Sequence, residues 1–145
     1  MRTKLYNKMC AASDAAKERC DCAVITVAVA AGVSYDEARA MLVACGRESR
    51  RSCARFTIDR ALNQLGVTLH RVPAATFISC YPKAHRQLQH VTTHHPARFN
   101  KVWRDGKIYI FDLKRSHILT VVDGVVHDWS TGRSLRVRSI DEVMR

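Results

Sequence analysis

A thiol, an imidazole and a carboxylate stand in this order along the chain, at Cys22, His117 and Asp128. Cysteine hydrolases use these three groups together: the sulfur attacks a carbonyl carbon, the imidazole moves the proton, and a third side chain holds the ring in position. The order of the three groups along the chain is also one that such enzymes use. The combination predicts hydrolysis of an acyl bond with Cys22 as the nucleophile.

Cys22 is the cysteine whose predicted surroundings favour a thiolate. It falls in the first turn of a helix predicted over 22–31, with Asp21 as its N-cap and Gly32 as its stop. Unpaired amides and the helix dipole stabilise negative charge in a first turn. None of the other cysteines has such a position, and these are Cys10, Cys20, Cys45, Cys53 and Cys80.

The imidazole and the carboxylate are predicted to share one hairpin. Asp123-Gly124 between two alternating segments is a strong signal for a two-residue β-turn. With that turn, His117 and Asp128 become diagonal neighbours on one face, with Cα atoms about 7–8 Å apart. His127 points to the opposite face, and Asp123 stands at the turn tip. Asp128 is therefore the expected partner that orients His117.

Helices are predicted to fill the first part of the chain. A short helix is expected from Ser13 towards Arg19, followed by the helix that carries Cys22. Ser34 and Glu37 form a capping box at the start of the next helix. Thr57 is the expected N-cap of a further helix that ends near residue 65. One more helix is expected over 83–91.

Alternating apolar residues predict strands in the second part of the chain. The expected strands cover 67–72, 101–103, 107–112, 116–122, 125–129 and 134–138. Helices followed by an antiparallel sheet define an α+β fold, in which the N-terminal helices pack on the C-terminal sheet. The length of 145 residues fits one domain over 1–145, with residues 1–12 as a candidate flexible N-terminus.

The composition is apolar enough for a core and strongly basic. Apolar residues make up 47% of the chain, and the formal net charge is +11. Such a charge attracts nucleic acid or an acidic protein. A candidate anion-binding group lies in one loop-like stretch: Arg47, Arg50, Arg51 and Arg55.

Neither a metal nor a cofactor is expected. Cys20-Asp21-Cys22 has no second cysteine pair at zinc-ligand spacing. The N-terminus lacks the apolar segment of a signal peptide, and no apolar run is long enough for a transmembrane helix. We therefore expect a cytoplasmic protein with mostly free thiols, in the host cytoplasm if a phage encodes it.

Several segments together resemble a known family. They are Asp21-Cys22-Ala23-Val24, the stretch 32–38 with its capping box, Gly46-Arg47 and the hairpin 116–128. The chain resembles small papain-like cysteine peptidases of bacteriophages and bacteria. It is similar to the peptidase domains that process bacteriocin leaders, and more distantly to cell-wall amidases with an Asp-Cys motif. The resemblance implies a papain-like fold, a protein or peptide substrate, Cys22 as nucleophile, His117 as general base and Asp128 as its orienting partner.

The chain departs from papain-like enzymes at the oxyanion site. Those enzymes carry a Gln several residues before the cysteine, whereas Ala16 and Lys17 occupy that stretch here. The expected donors are then the Cys22 amide together with Arg19 or the Cys20 amide. Loss of one oxyanion donor costs about 10²–10³ in rate, so we expect a slow, specific enzyme or an inactive relative.

The alternative hypothesis is a protein without catalytic activity. Such a protein, of the kind that phages use, would bind a host protein or nucleic acid through its basic surface. Substitution of Cys22 would then leave the biological activity intact, and reversal of the arginine charges at 47–55 would remove it. Binding to nucleic acid would weaken steeply with salt.

Overall fold

The computed structural model describes residues 2–73, 106–113, 117–129 and 137–145. The helices in these residues are α1 (Lys4–Ala15), α2 (Cys22–Ala31), α3 (Tyr35–Ala44) and α4 (Arg55–Gln64). The strands are β1 (Thr68–Arg71), β2 (Ile108–Leu113), β3 (His117–Val122), β4 (Val125–His127) and β5 (Val137–Met144). The fold is mixed α+β, with the helices before the sheet as expected. The helix predicted over 83–91 and the strand predicted over 101–103 lie outside the described residues.

The strands form one antiparallel sheet in the order β1-β5-β2-β3-β4. β5, the last strand in the chain, lies between β1 and β2 and pairs with both. It is also longer and later than the strand expected over 134–138, because its pairing with β1 continues to Met144. Long-range pairing of this kind leaves no local signal in the sequence.

Helix α2 is the centre of the larger core. Every residue from Ala23 to Ala30 is buried, so the helix is apolar all round, as expected for a helix enclosed on all sides. It packs on β3 and contacts α3, α4 and β2. A second cluster, which includes Phe111, Leu119 and Val121, covers the other face of the sheet. The β-branched residues of α2 on their own favour a strand, but the packing of the helix in this core outweighs that preference.

The N-terminus differs from the prediction. Residues 4–15 form α1, where a flexible segment over 1–12 and a short helix from Ser13 were expected. The Thr3 side chain accepts a hydrogen bond from the Tyr6 amide and so caps the helix, and Tyr6 and Met9 are buried. Packing of this apolar face holds the segment in place.

The ends predicted for the other helices agree in part with the structure. Ser34 Oγ accepts from the Glu37 amide at 3.1 Å, which confirms the predicted cap of α3. Gly32 has φ 70° and ends α2 in the left-handed conformation, as predicted. The start of α4 is wrong in the prediction, since Ala54 is the N-cap and Thr57 is buried within the first turn.

The hairpin has the predicted register. Val122 pairs with Val125, and Thr120 pairs with His127. Asp123 and Gly124 have φ values of 47° and 75°, as a two-residue turn of the primed type requires. In the described ranges each helix is too short or too polar to cross a lipid bilayer.

Candidate active site

The three residues predicted to carry chemistry meet in one place. The N-terminus of α2 lies against the start of β3, so that Cys22, His117 and Asp128 line the same cavity of about 210 Å³. Each residue comes from a rigid element or its immediate end. This arrangement brings the thiol, the imidazole and the carboxylate together across about a hundred residues of chain.

His117 is held between the other two groups. Its Nε2 lies 2.8 Å from Asp128 Oδ2, which is the contact expected from the hairpin. Cys22 lines the same cavity, and its interaction with the ring raises the pKa of His117. Because Nε2 is taken by the carboxylate, Nδ1 is the nitrogen available to the sulfur. The contact with Asp128 is largely removed from water, since the side chains of His117 and Asp128 are 14% and 5% exposed.

The environment of His117 favours its protonated form. Burial alone would lower the pKa of His117, but the hydrogen bonds to Asp128 and Cys22 and the charges of both groups outweigh it and raise the pKa to about 9. These contacts therefore favour the imidazolium over the neutral ring. A cationic side chain beside the thiol is typical of the surroundings of cysteine nucleophiles.

The pKa of His117 gives a direct test of this geometry. We expect an NMR titration of the ring to report a pKa of about 9, well above the ordinary 6.5, and to fall towards 6.5 in Asp128→Asn. Asn accepts the same hydrogen bond but lacks the charge. Since the pKa is raised on folding, the contribution of His117 to stability is complete below pH 6.5 and is lost as the pH rises through about 9. An unchanged pKa in Asp128→Asn would contradict the contact.

The first turn of α2 is left without a side-chain cap. Asp21 occupies the N-cap position, but its carboxylate makes no capping hydrogen bond and instead accepts from the Tyr35 hydroxyl at 2.7 Å. Burial and the Asp21 hydrogen bond raise the pKa of Tyr35, which therefore stays a donor. The amides of the first turn, including that of Cys22, are available to negative charge in the cavity.

A buried ion cluster, here called the Glu18 cluster, fixes the segment before Cys22. Glu18 accepts from Arg47 Nη1 at 2.7 Å, from the Arg50 amide at 2.6 Å, from Ser49 Oγ at 3.0 Å and from Arg39 Nε at 3.2 Å. Burial alone would raise the pKa of Glu18, but these hydrogen bonds lower it to about 2. No local pattern in the sequence indicates a role for Glu18, because its partners lie far along the chain.

The predicted anion-binding group is not one basic surface. Arg47 is buried with its charge on Glu18, and Arg55 binds three carboxylates, those of Asp59, Asp112 and Asp141. Arg50 and Arg51 are exposed. Internal carboxylates therefore neutralise Arg47 and Arg55, and anion binding by this group stays a prediction.

The two predicted oxyanion donors differ in position. Cys20 lines the cavity with Cys22 and adopts φ 54°. Arg19 is exposed and does not line this cavity. The structure thus places Cys20, and not Arg19, in the lining of this cavity.

Two aromatic residues of the site were missed. The Trp129 ring lies 5.3 Å from the His117 ring, tilted by 47°, and Tyr6 of α1 lines the same cavity. Trp129 directly follows Asp128, a position that the hairpin could have indicated. Tyr6 belongs to α1, a helix that was not predicted. His127 was predicted to point to the opposite face, but it lines this cavity too, and its Nδ1 lies 2.7 Å from Thr3 Oγ1.

No known protein family, curated protein or solved structure matches this chain. The geometry of the site is therefore the evidence for its function.

Proposed function

We propose that this protein is a cysteine hydrolase of the papain-like type that cleaves an amide, isopeptide or thioester bond. The observation that carries the proposal is that His117 bonds Asp128 through Nε2 and lines one cavity with Cys22, which stands at the start of a helix. A nucleophilic triad consists of a buried carboxylate, an imidazole ring that this carboxylate contacts, and a thiol beside the ring. A packing role for the three residues would not require their polar atoms to meet in a cavity.

Each group has a defined step in the reaction on an amide. The Cys22 thiolate attacks the carbonyl carbon, and the first-turn amides of α2 bind the oxyanion that forms. His117 gives its proton to the leaving nitrogen, the C–N bond breaks, and a thioester to Cys22 remains. His117 then takes a proton from water, which attacks the thioester. The C–S bond breaks, the acid leaves and the thiolate is restored beside the imidazolium, while Asp128 keeps the ring in position throughout.

Selective alkylation of Cys22 tests this proposal. We expect iodoacetamide to modify Cys22 at least about tenfold faster than the other cysteines, since the thiolate is the reacting form. Cys20 is exposed and is therefore the stringent internal comparison, whereas burial raises the pKa of the Cys53 thiol and slows its reaction. His117→Ala should remove the excess rate at Cys22. The measurement is peptide mass spectrometry over a time course.

His117→Gln is a second variant that tests whether misfolding causes the loss of the excess alkylation rate at Cys22. Gln is polar but uncharged, so it keeps a polar side chain in the cavity without the charge of the ring. Both variants are compared with the wild type by circular dichroism. Equal labelling of all cysteines in the folded wild type would overturn the proposal.

A binding protein without catalysis is the other hypothesis. The arginine group on which it depends is divided in the structure, because Arg47 and Arg55 are neutralised internally. The exposed Arg50 and Arg51 and the high net charge still support the hypothesis of a binding protein. Loss of biological activity in Cys22→Ser would favour the hydrolase, and intact activity would favour the binding protein.

A further inference from the structure

A second cavity opens on the other side of the candidate catalytic pair. It has a volume of about 180 Å³ and shares Cys22 and His117 with the first. Its other lining residues include Ser52 and Cys53 before α4, Asp112 of β2 and Arg138 of β5. A substrate whose carbonyl lies at Cys22 would therefore extend into this second cavity on one side.

Arg138 reaches this cavity because of a β-bulge. Asp112 pairs with Ser139, whereas the next residue, Leu113, pairs with Val137, so Arg138 is an extra residue on β5. Val137 and Ile140 both pack in the cluster on the sheet face away from the helices. In a regular strand, side chains alternate between the two faces of the sheet. Val137 and Ile140 would then lie on opposite faces, and Arg138 would share a face with Ile140. The bulge instead directs Arg138 to the cavity beside α2, as bulges near functional sites do.

Among the described residues that line the second cavity, one cation has no carboxylate partner. Arg55 is neutralised by Asp59, Asp112 and Asp141, and the Asp112 carboxylate is taken by Arg55. In the part of the chain that the structure describes, Arg138 forms no ion pair. Its guanidinium, a fork of donors that matches a carboxylate, is exposed beside the reacting groups.

We propose that the second cavity is a subsite for a carboxylate of the substrate and that Arg138 binds this carboxylate next to the bond that Cys22 attacks. The inference rests on the proposed hydrolase function and makes it more specific. A carboxylate there comes from an acidic side chain or from a chain terminus. Arg138 would then be a specificity-determining residue, since it acts on the choice of substrate and not on the chemistry.

Two pairs of thiol-alkylating probes test the proposal. N-iodoacetyl-glutamate amide and N-iodoacetyl-glutamine amide differ only in a side-chain carboxylate, and N-iodoacetyl-glycine and N-iodoacetyl-glycinamide differ in a terminal carboxylate. Each forms a thioether with Cys22 and releases iodide. We expect the acidic member of at least one pair to react faster at Cys22. Arg138→Gln should reduce the acid-to-amide rate ratio about fivefold at low ionic strength, and added salt should reduce it in the wild type.

Arg60→Gln is the matched control. Arg60 is an exposed arginine of α4 that does not line this cavity, and its loss changes the net charge equally. The ratio should stay near the wild-type value in Arg60→Gln, and Arg138→Lys should keep part of it. The pair that responds to Arg138→Gln identifies the source of the carboxylate.

The outcomes separate this inference from the proposed function. If the neutral probes modify Cys22 selectively but the ratio is the same in Arg138→Gln and the wild type, the subsite is disproved and the hydrolase is not. An equal fall in Arg60→Gln also disproves it, because net charge would then explain the preference. If the neutral probes do not select Cys22, the proposed function itself fails.

Discussion

Cys22→Ser should abolish acyl transfer to this protein, with a loss of about 10⁴-fold or more in rate, as removal of a triad nucleophile does. A serine hydroxyl is not ionised by a neighbouring imidazolium, whereas a thiol is readily converted to the nucleophilic thiolate. The measurement uses p-nitrophenyl acetate, which should release p-nitrophenolate and leave one acetyl group on Cys22. Intact-mass and peptide analysis then locate the acetyl group.

Two matched variants make this experiment specific. Cys20 lines the first cavity and Cys53 lines the second, so Cys20→Ser and Cys53→Ser change a thiol on either side of Cys22. Both should keep the acetylation of Cys22 within a few-fold of the wild type. Acetylation that persists in Cys22→Ser, or that is lost equally in either control, would show that Cys22 is not the nucleophile.

The candidate site could be predicted from the sequence where short-range rules applied. The Asp123-Gly124 turn sets the hairpin register, and that register alone puts Asp128 beside His117. Gly32 and the apolar body of α2 gave the helix that carries Cys22. The predicted cap of this helix was partly wrong, because the Asp21 carboxylate accepts a hydrogen bond from Tyr35 and makes none to the first turn of α2.

The rest of the site depends on contacts that leave no local pattern. Arg47 looks like a solvated loop residue in the sequence, and only the fold brings Glu18 to it. The same holds for Arg55, whose carboxylates come from α4, β2 and β5. Arg138 faces the candidate site because one extra residue stands in β5, and a bulge cannot be read from the alternation of a strand.

Glu18→Gln should lower the free energy of unfolding by about 3–5 kcal/mol, as the loss of one partner from a buried ion pair does. The Glu18 and Arg47 side chains are both fully buried, so the substitution leaves a guanidinium without its counter-charge. Because the same cluster holds the segment before Cys22, the alkylation rate of Cys22 should also fall. Urea unfolding at neutral pH measures the first effect, and iodoacetamide labelling measures the second.

Two comparisons identify the buried charge as the cause. Glu48→Gln removes an ion pair with Arg51 whose side chains are 73% and 75% exposed, and it should change stability by less than about 1 kcal/mol. The double variant Glu18→Gln with Arg47→Met removes both buried charges and should recover part of the lost stability.

The acid side of the stability curve tests the same cluster by a different route. Folding lowers the pKa of Glu18 from 4.5 to about 2, so its contribution is complete above pH 4.5 and is lost as the pH falls through about 2. Between these pH values the wild type should lose stability more steeply than Glu18→Gln, and the two curves should converge. Parallel curves over this range would mean that Glu18 is not ionised in the cluster, and the electrostatic support of the Cys22 segment would then have to come from elsewhere.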